Sequence, residues 1–165
     1  MPDAPKPLTL DIAFAQLILG YLSTAEAITA GLPTVEAMPR VHVFDNKTKT
    51  FPLLVVAGSV KGESTTNREV TVVCALHTKL AKQDEPATRE GYAQIMATVE
   101  TLLHKQDRIT AYIQSLPDDA IIFPEGTRLA RMWPGTVAVG QIDREHGTET
   151  ITCDIRFKVR VLAAD

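Results

Sequence analysis

The run "TETITCDIRFKVRVL", residues 148–162, decides the fold. In it Ile151, Cys153, Ile155, Phe157, Val159 and Val161 alternate with Thr152, Asp154, Arg156, Lys158 and Arg160. Successive side chains of a strand point to opposite faces, so this pattern makes a strand with one buried and one wet face. Such a strand needs neighbours at its edges and an apolar layer over its buried side.

Working outward, "REVTVVCALHT" (68–78) is β-branched and mostly apolar, as a central strand requires, with Val70, Val72, Cys74 and Leu76 on one face. "RVHVF" (40–44) and "FPLLVVAG" (51–58) read as two strands joined by the polar turn "DNKTKT", with Pro52 at a strand start, where its missing N–H does least harm. "SVKGESTTN" (59–67) reads as a second polar loop. "TVAVGQIDRE" (136–145) and a turn at His146–Gly147 complete a closing hairpin with the last strand.

Two helices supply the apolar layer. Thr9 caps the first, which runs to about Leu22 with Leu10, Phe14, Leu17, Ile18 and Tyr21 on one face. Ile12, Ala15 and Leu19 form a second stripe, so this helix is either central or packs on something outside its own domain. Ser23 and Glu26 make a capping box for a short helix that stops at Gly31. A long helix begins near Pro86, and its Tyr92, Ile95, Met96, Val99, Leu102 and Leu103 follow the spacing of a helix lying on a sheet. Residues 107–128 fit either a short helix or an extended piece.

The expected fold is therefore α+β: a mainly antiparallel sheet with two long helices packed on one face and a C-terminal β-hairpin. Residues 1–7, with three prolines, read as a flexible lead-in to a single domain over 8–165.

Composition narrows the function. The net charge of −3 gives no basic excess pointing to nucleic acid or anionic lipid. The small groups Lys47–Lys49 and Arg156–Lys158–Arg160 read as solvated surface. No apolar run approaches the roughly 20 residues of a membrane helix, and the N-terminus lacks a signal-peptide core, so the expected site of synthesis is the cytoplasm. Cys74 and Cys153 sit in apolar runs and read as buried thiols rather than a disulfide or catalytic pair.

One motif invites an enzymatic reading. "FPEGTR" (123–128) resembles the phosphate-binding block of glycerolipid acyltransferases, a family that also uses a His and an Asp separated by four residues, upstream of that block. Five residues after His42, His77 and His104 stand Lys47, Lys82 and Ile109, so the carboxylate is missing each time. Pro-Glu-Gly is also ordinary turn chemistry. "GSVKGES" lacks the P-loop order, no G-x-S-x-G elbow occurs, and Asp118–Asp119 reads as a turn. The four histidines make no ligand set, and no catalytic residue, metal or cofactor is expected.

The order of these elements, with the proline-led "FPLLVVAG", the amphipathic helix and the alternating last strand, resembles the tail terminator (tail completion) proteins of long-tailed bacteriophages. The resemblance spans roughly residues 8–162 and rests on order and pattern. It implies a non-enzymatic structural virion protein: a homohexameric ring at the head-proximal end of the tail. Such a ring caps the tail tube, ends elongation and offers the head–tail joining surface. The implied partners are other copies of the chain, the tail tube protein and the head–tail connector, with no membrane and no specific nucleic-acid binding beyond DNA passing through the lumen. On this reading Ile12, Leu19 and Trp133 are candidate subunit contacts, and Lys47, Lys49 and Lys61 are candidate tube or connector contacts. A neck or head-completion ring is the nearest alternative. A ligand-binding α+β domain would instead need a concave apolar pocket.

Overall fold

A computed structural model describes residues 8–24, 27, 32, 35–37, 53–62, 66–79, 86–117, 120–121, 123–143 and 148–162. The elements in chain order are α1 (Leu10–Leu22), β1 (Val35–Ala37), β2 (Leu53–Gly62), β3 (Asn67–Lys79), α2 (Pro86–His104), α3 (Gln106–Ser115), β4 (Thr127–Pro134), β5 (Ala138–Asp143) and β6 (Thr148–Val161). The class is α+β, as the sequence implies.

The sheet runs β1-β2-β3-β6-β4, with β5 also on β6. Only β1 is parallel to its neighbour; the other pairings are antiparallel. β4 lies along Ile155–Val161 and β5 along Thr148–Thr152, so the two follow one another down a single edge of β6. Gly135 marks the interruption between them, where its N–H donates to the Asp154 carbonyl at 2.7 Å.

Register places one apolar residue of each strand beside the next. Val56, Cys74 and Cys153 form one row, and Val70, Phe157 and Met132 another. These side chains share a core with Phe14, Leu17, Ile18 and Tyr21 of α1 and Tyr92, Met96, Val99 and Leu103 of α2. Both long helices therefore cover the same face of the sheet. The Phe14 ring meets Phe157 with centroids 4.7 Å apart and Phe123 edge-on at 5.3 Å, a geometry the ring quadrupoles favour.

The all-round apolarity of α1 is answered mainly from inside. Ala15, from the second stripe, is 4% exposed, and Ala13 is fully buried. One side of α1 lies on β2 and β3; the other meets α3 through Tyr21 and Tyr112, whose rings are 5.9 Å apart. The Tyr21 hydroxyl also donates to the Leu102 carbonyl at 2.7 Å, tying α1 to α2. Burial raises the Tyr112 hydroxyl pKa above its ordinary value.

Several local expectations are corrected. Ser23 is the C-cap of α1, and its hydroxyl donates back to the Leu19 carbonyl at 2.7 Å; its expected capping-box partner Glu26 lies outside the described residues. Residues 59–62 belong to β2, which shortens the expected 59–67 loop. Residues 106–115 are helical, which settles the ambiguous stretch. The expected strand 40–44, the turn 45–50, the His146–Gly147 turn and most of the 23–31 helix lie outside the described residues.

Gly58 fixes how closely α1 approaches the sheet, because a Cβ there would run into the Asp11 carbonyl. Gly62, at the free end of the same strand, faces open space. Gly58→Ala is expected to cost about 1–3 kcal/mol through overpacking against backbone, whereas Gly62→Ala is expected to be neutral or mildly stabilising. Urea unfolding of the two variants tests this, and equal midpoints would contradict the packing argument.

Candidate functional site

The FPEGTR block serves as a turn. Thr127 closes it through its N–H on the Pro124 carbonyl, and Gly126 has φ 78°, the one positive φ among the described residues. Gly126 also accepts from the Leu162 N–H at 3.0 Å, and a Cβ there would strike the Leu162 carbonyl. The glycine is required by backbone geometry and by contact with the end of β6.

Cys74 and Cys153 are opposed across β3 and β6 as free, buried thiols. Burial first, then Cys153 and Asp154, drives the Cys74 pKa far above the ordinary thiol range. Burial, Glu100 and Asp154 push Cys153 up to about 11. Both thiols are thus held in the neutral SH form near neutral pH. Among the described residues no group of His, Cys, Asp and Glu could hold a metal ion.

What the structure does assemble is a charged surface on the side of the sheet away from the helices. The polar residues of the β6 alternation point there, and register aligns them with cations from β4. Arg128 lies opposite Arg160, Arg131 opposite Lys158, and Trp133 opposite Arg156. On the other edge Lys158 pairs with Glu69, which pairs with Lys61. Lys61, Arg128, Arg131, Arg156 and Arg160 are exposed. Among the described strand residues the carboxylates in this part of the face are Glu69 and Asp154, the latter 3.4 Å from the Arg156 Nε. Towards the other end the face closes, with Val55 only 2% exposed.

The residues singled out from sequence regroup accordingly. Ile12 is exposed in the first turn of α1, and Leu19 is half-buried on the same helix. Trp133 is half-buried on the opposite side of the sheet, with the Arg131 guanidinium carbon 5.6 Å from its ring centroid. It therefore joins Lys61 and the arginines, not Ile12 and Leu19. Lys47 and Lys49 lie outside the described residues.

Among the described residues four large apolar side chains are exposed. Val60 (40% exposed) on β2 and Leu129 (38%) on β4 lie on the helix side at opposite flanks of the sheet, Ile12 (38%) follows Asp11 in the first turn of α1, and Leu162 (50%) follows Val161 just past the end of β6. Sequence reasoning missed Val60 because it sat in an expected loop, and Leu129 because β4 was not foreseen.

The thiols give a direct check on the burial of the β3–β6 pair. Iodoacetamide at pH 8 is expected to leave Cys74 and Cys153 unmodified in the native protein while labelling both in denaturant. Fast native labelling of either one would contradict the packing. Among the described residues no helix is long and apolar enough to cross a membrane. No family model matches the chain, and no curated protein matches it in sequence.

Proposed function

We propose that the chain is a structural subunit of a bacteriophage tail, a terminator that rings the tube end, stops its growth and presents a surface to the head. The observation that carries this reading is the exposure of four large apolar side chains, Ile12, Val60, Leu129 and Leu162. Apolar side chains of this size left in water suit burial against neighbours. A cyclic ring buries such side chains head-to-tail, each copy offering them to a different surface of the next.

Capping needs no chemistry. It requires the ring to cover tube-end surface that the next tube ring would otherwise bury, and about 800 Å² per partner suffices for a specific contact. A surface of 10201 Å² on the described chain leaves room for two neighbours and the tube. Ile12 and, at its margin, Leu19 belong to the copy–copy contact; Lys61 stands on the far face of the sheet, available to tube or connector. A neck or head-completion ring would use the same features at a different position in the virion.

Added in small amounts to polymerising tail tube protein, the chain is expected to shorten the tubes. Ile12→Asp is expected to lose that effect while keeping its melting midpoint, since Ile12 is already partly in water. Unaltered capping by folded Ile12→Asp and Leu19→Asp would remove α1 from the contact. Turnover of an acyl donor with glycerol 3-phosphate would overturn the non-enzymatic reading altogether.

A further inference from the structure

The cations on the outer face of the sheet oppose one another, and that is a cost to folding. Like charges directly across a strand pair destabilise it, yet Arg128 faces Arg160 and Arg131 faces Lys158 along the β4–β6 ladder. Protection of an edge strand explains charge on β4, but not its sign. Carboxylates there would protect the edge equally well and would also pair with the cations of β6. The arrangement concentrates one sign of charge instead.

The geometry of that charge suits a rod-like polyanion. Arg156, Lys158 and Arg160 recur every second residue of β6, about 6.7 Å apart. Arg128 and Arg131 run alongside one strand spacing away, about 4.8 Å. Each lies within roughly one Debye length, about 10 Å at 0.1 M salt, of its neighbours in the strip, so adjacent fields add. Lys61 extends the patch across the sheet to β2. Among the described strand residues of this face, these six cations stand with two carboxylates, Glu69 and Asp154, in a chain that carries 17 basic and 20 acidic residues overall. The net charge of −3 therefore hides a segregated basic face.

We infer that this face binds the phosphate backbone of double-stranded DNA without reading its sequence. A duplex presents one charge per about 1.7 Å of axis, the densest matching partner for a flat cationic strip. Stacking of unpaired bases is not the main contact, because Trp133 is half-buried and already engaged by Arg131. Binding comes from release of counterions by arginine and lysine contacts. The inference does not depend on the ring, since one subunit carries the whole patch.

The test is fluorescence anisotropy of a labelled 20-base-pair duplex with the full chain, at increasing sodium chloride. Binding is expected with Kd roughly 1–100 µM at physiological salt, and log K falling against log salt with a slope of about −3 to −5. Arg131→Thr removes one like-charge pair, so it is expected to weaken DNA binding, reduce the slope by about 1 and raise the melting midpoint. The triple variant Arg128→Gln, Arg131→Gln, Arg160→Gln is expected to lose binding at least tenfold. Arg108→Gln, on α3 behind the sheet, is expected to bind as the parent does. Absence of binding at 50 mM salt would overturn the inference, as would binding that survives the triple variant. Equal or tighter binding of polyglutamate would assign the face to an acidic protein, and so would loss of self-association in the triple variant without DNA binding by the parent.

Discussion

The strand β6 is the constraint on which the rest of the molecule depends. It is paired along both edges, with β3 through 13 residues on one side and β4 followed by β5 on the other. Its alternation sends Cys153, Ile155, Phe157 and Val159 towards the helices and Asp154, Arg156, Lys158 and Arg160 away from them. A shift of one residue in register would exchange those two sets, burying four charges and exposing the core. Register is held at the centre by Phe157, which α1 covers through Phe14, and at the ends by Gly126 and Gly135. The first lets the chain turn against Leu162; the second lets β4 give way to β5 beside Asp154.

Much of this was legible in the sequence because the strongest patterns coincide with the longest elements. The alternation of β6, the β-branched run of β3 and the helical spacing of Tyr92, Met96, Val99 and Leu103 each repeat often enough to declare a period. β1, with three residues, is too short to show one. β4 loses its period at the register shift between Leu129 and Arg131 and ends in Pro134. The polar look of residues 59–62 concealed the end of β2, whose Lys61 side chain faces water even though its backbone is in the ladder. Propensity describes the side chain; the partner strand decides the backbone.

The candidate surfaces were less legible, for a related reason. Arg156, Lys158 and Arg160 read singly as the wet face of one strand. Arg128 and Arg131 come from an element the sequence did not reveal, and Lys61 is almost a hundred residues away. Only register brings them together, so no count of charges along the chain could find them. The same holds for Trp133, grouped by sequence with Ile12 and Leu19 and separated from them by the thickness of the sheet. Conversely, the apolar excess of α1 overstated its external surface: Ala15 fits against the sheet, and α3, which the sequence left undecided, meets the other side. Ile12 is what remains in water.

A one-sided core is thus joined to two exposed features, a few large apolar side chains and a cationic face. On the proposed reading the exposed apolar side chains drive self-assembly, and assembly is the central claim. Light scattering of the native protein after gel filtration, over a range of concentrations, tests it most directly. The account predicts a discrete species near six times the 18.0 kDa chain mass, persisting on dilution in high salt because the contact is apolar. A monomer at every concentration, both alone and in the presence of tail tube ends, would contradict it.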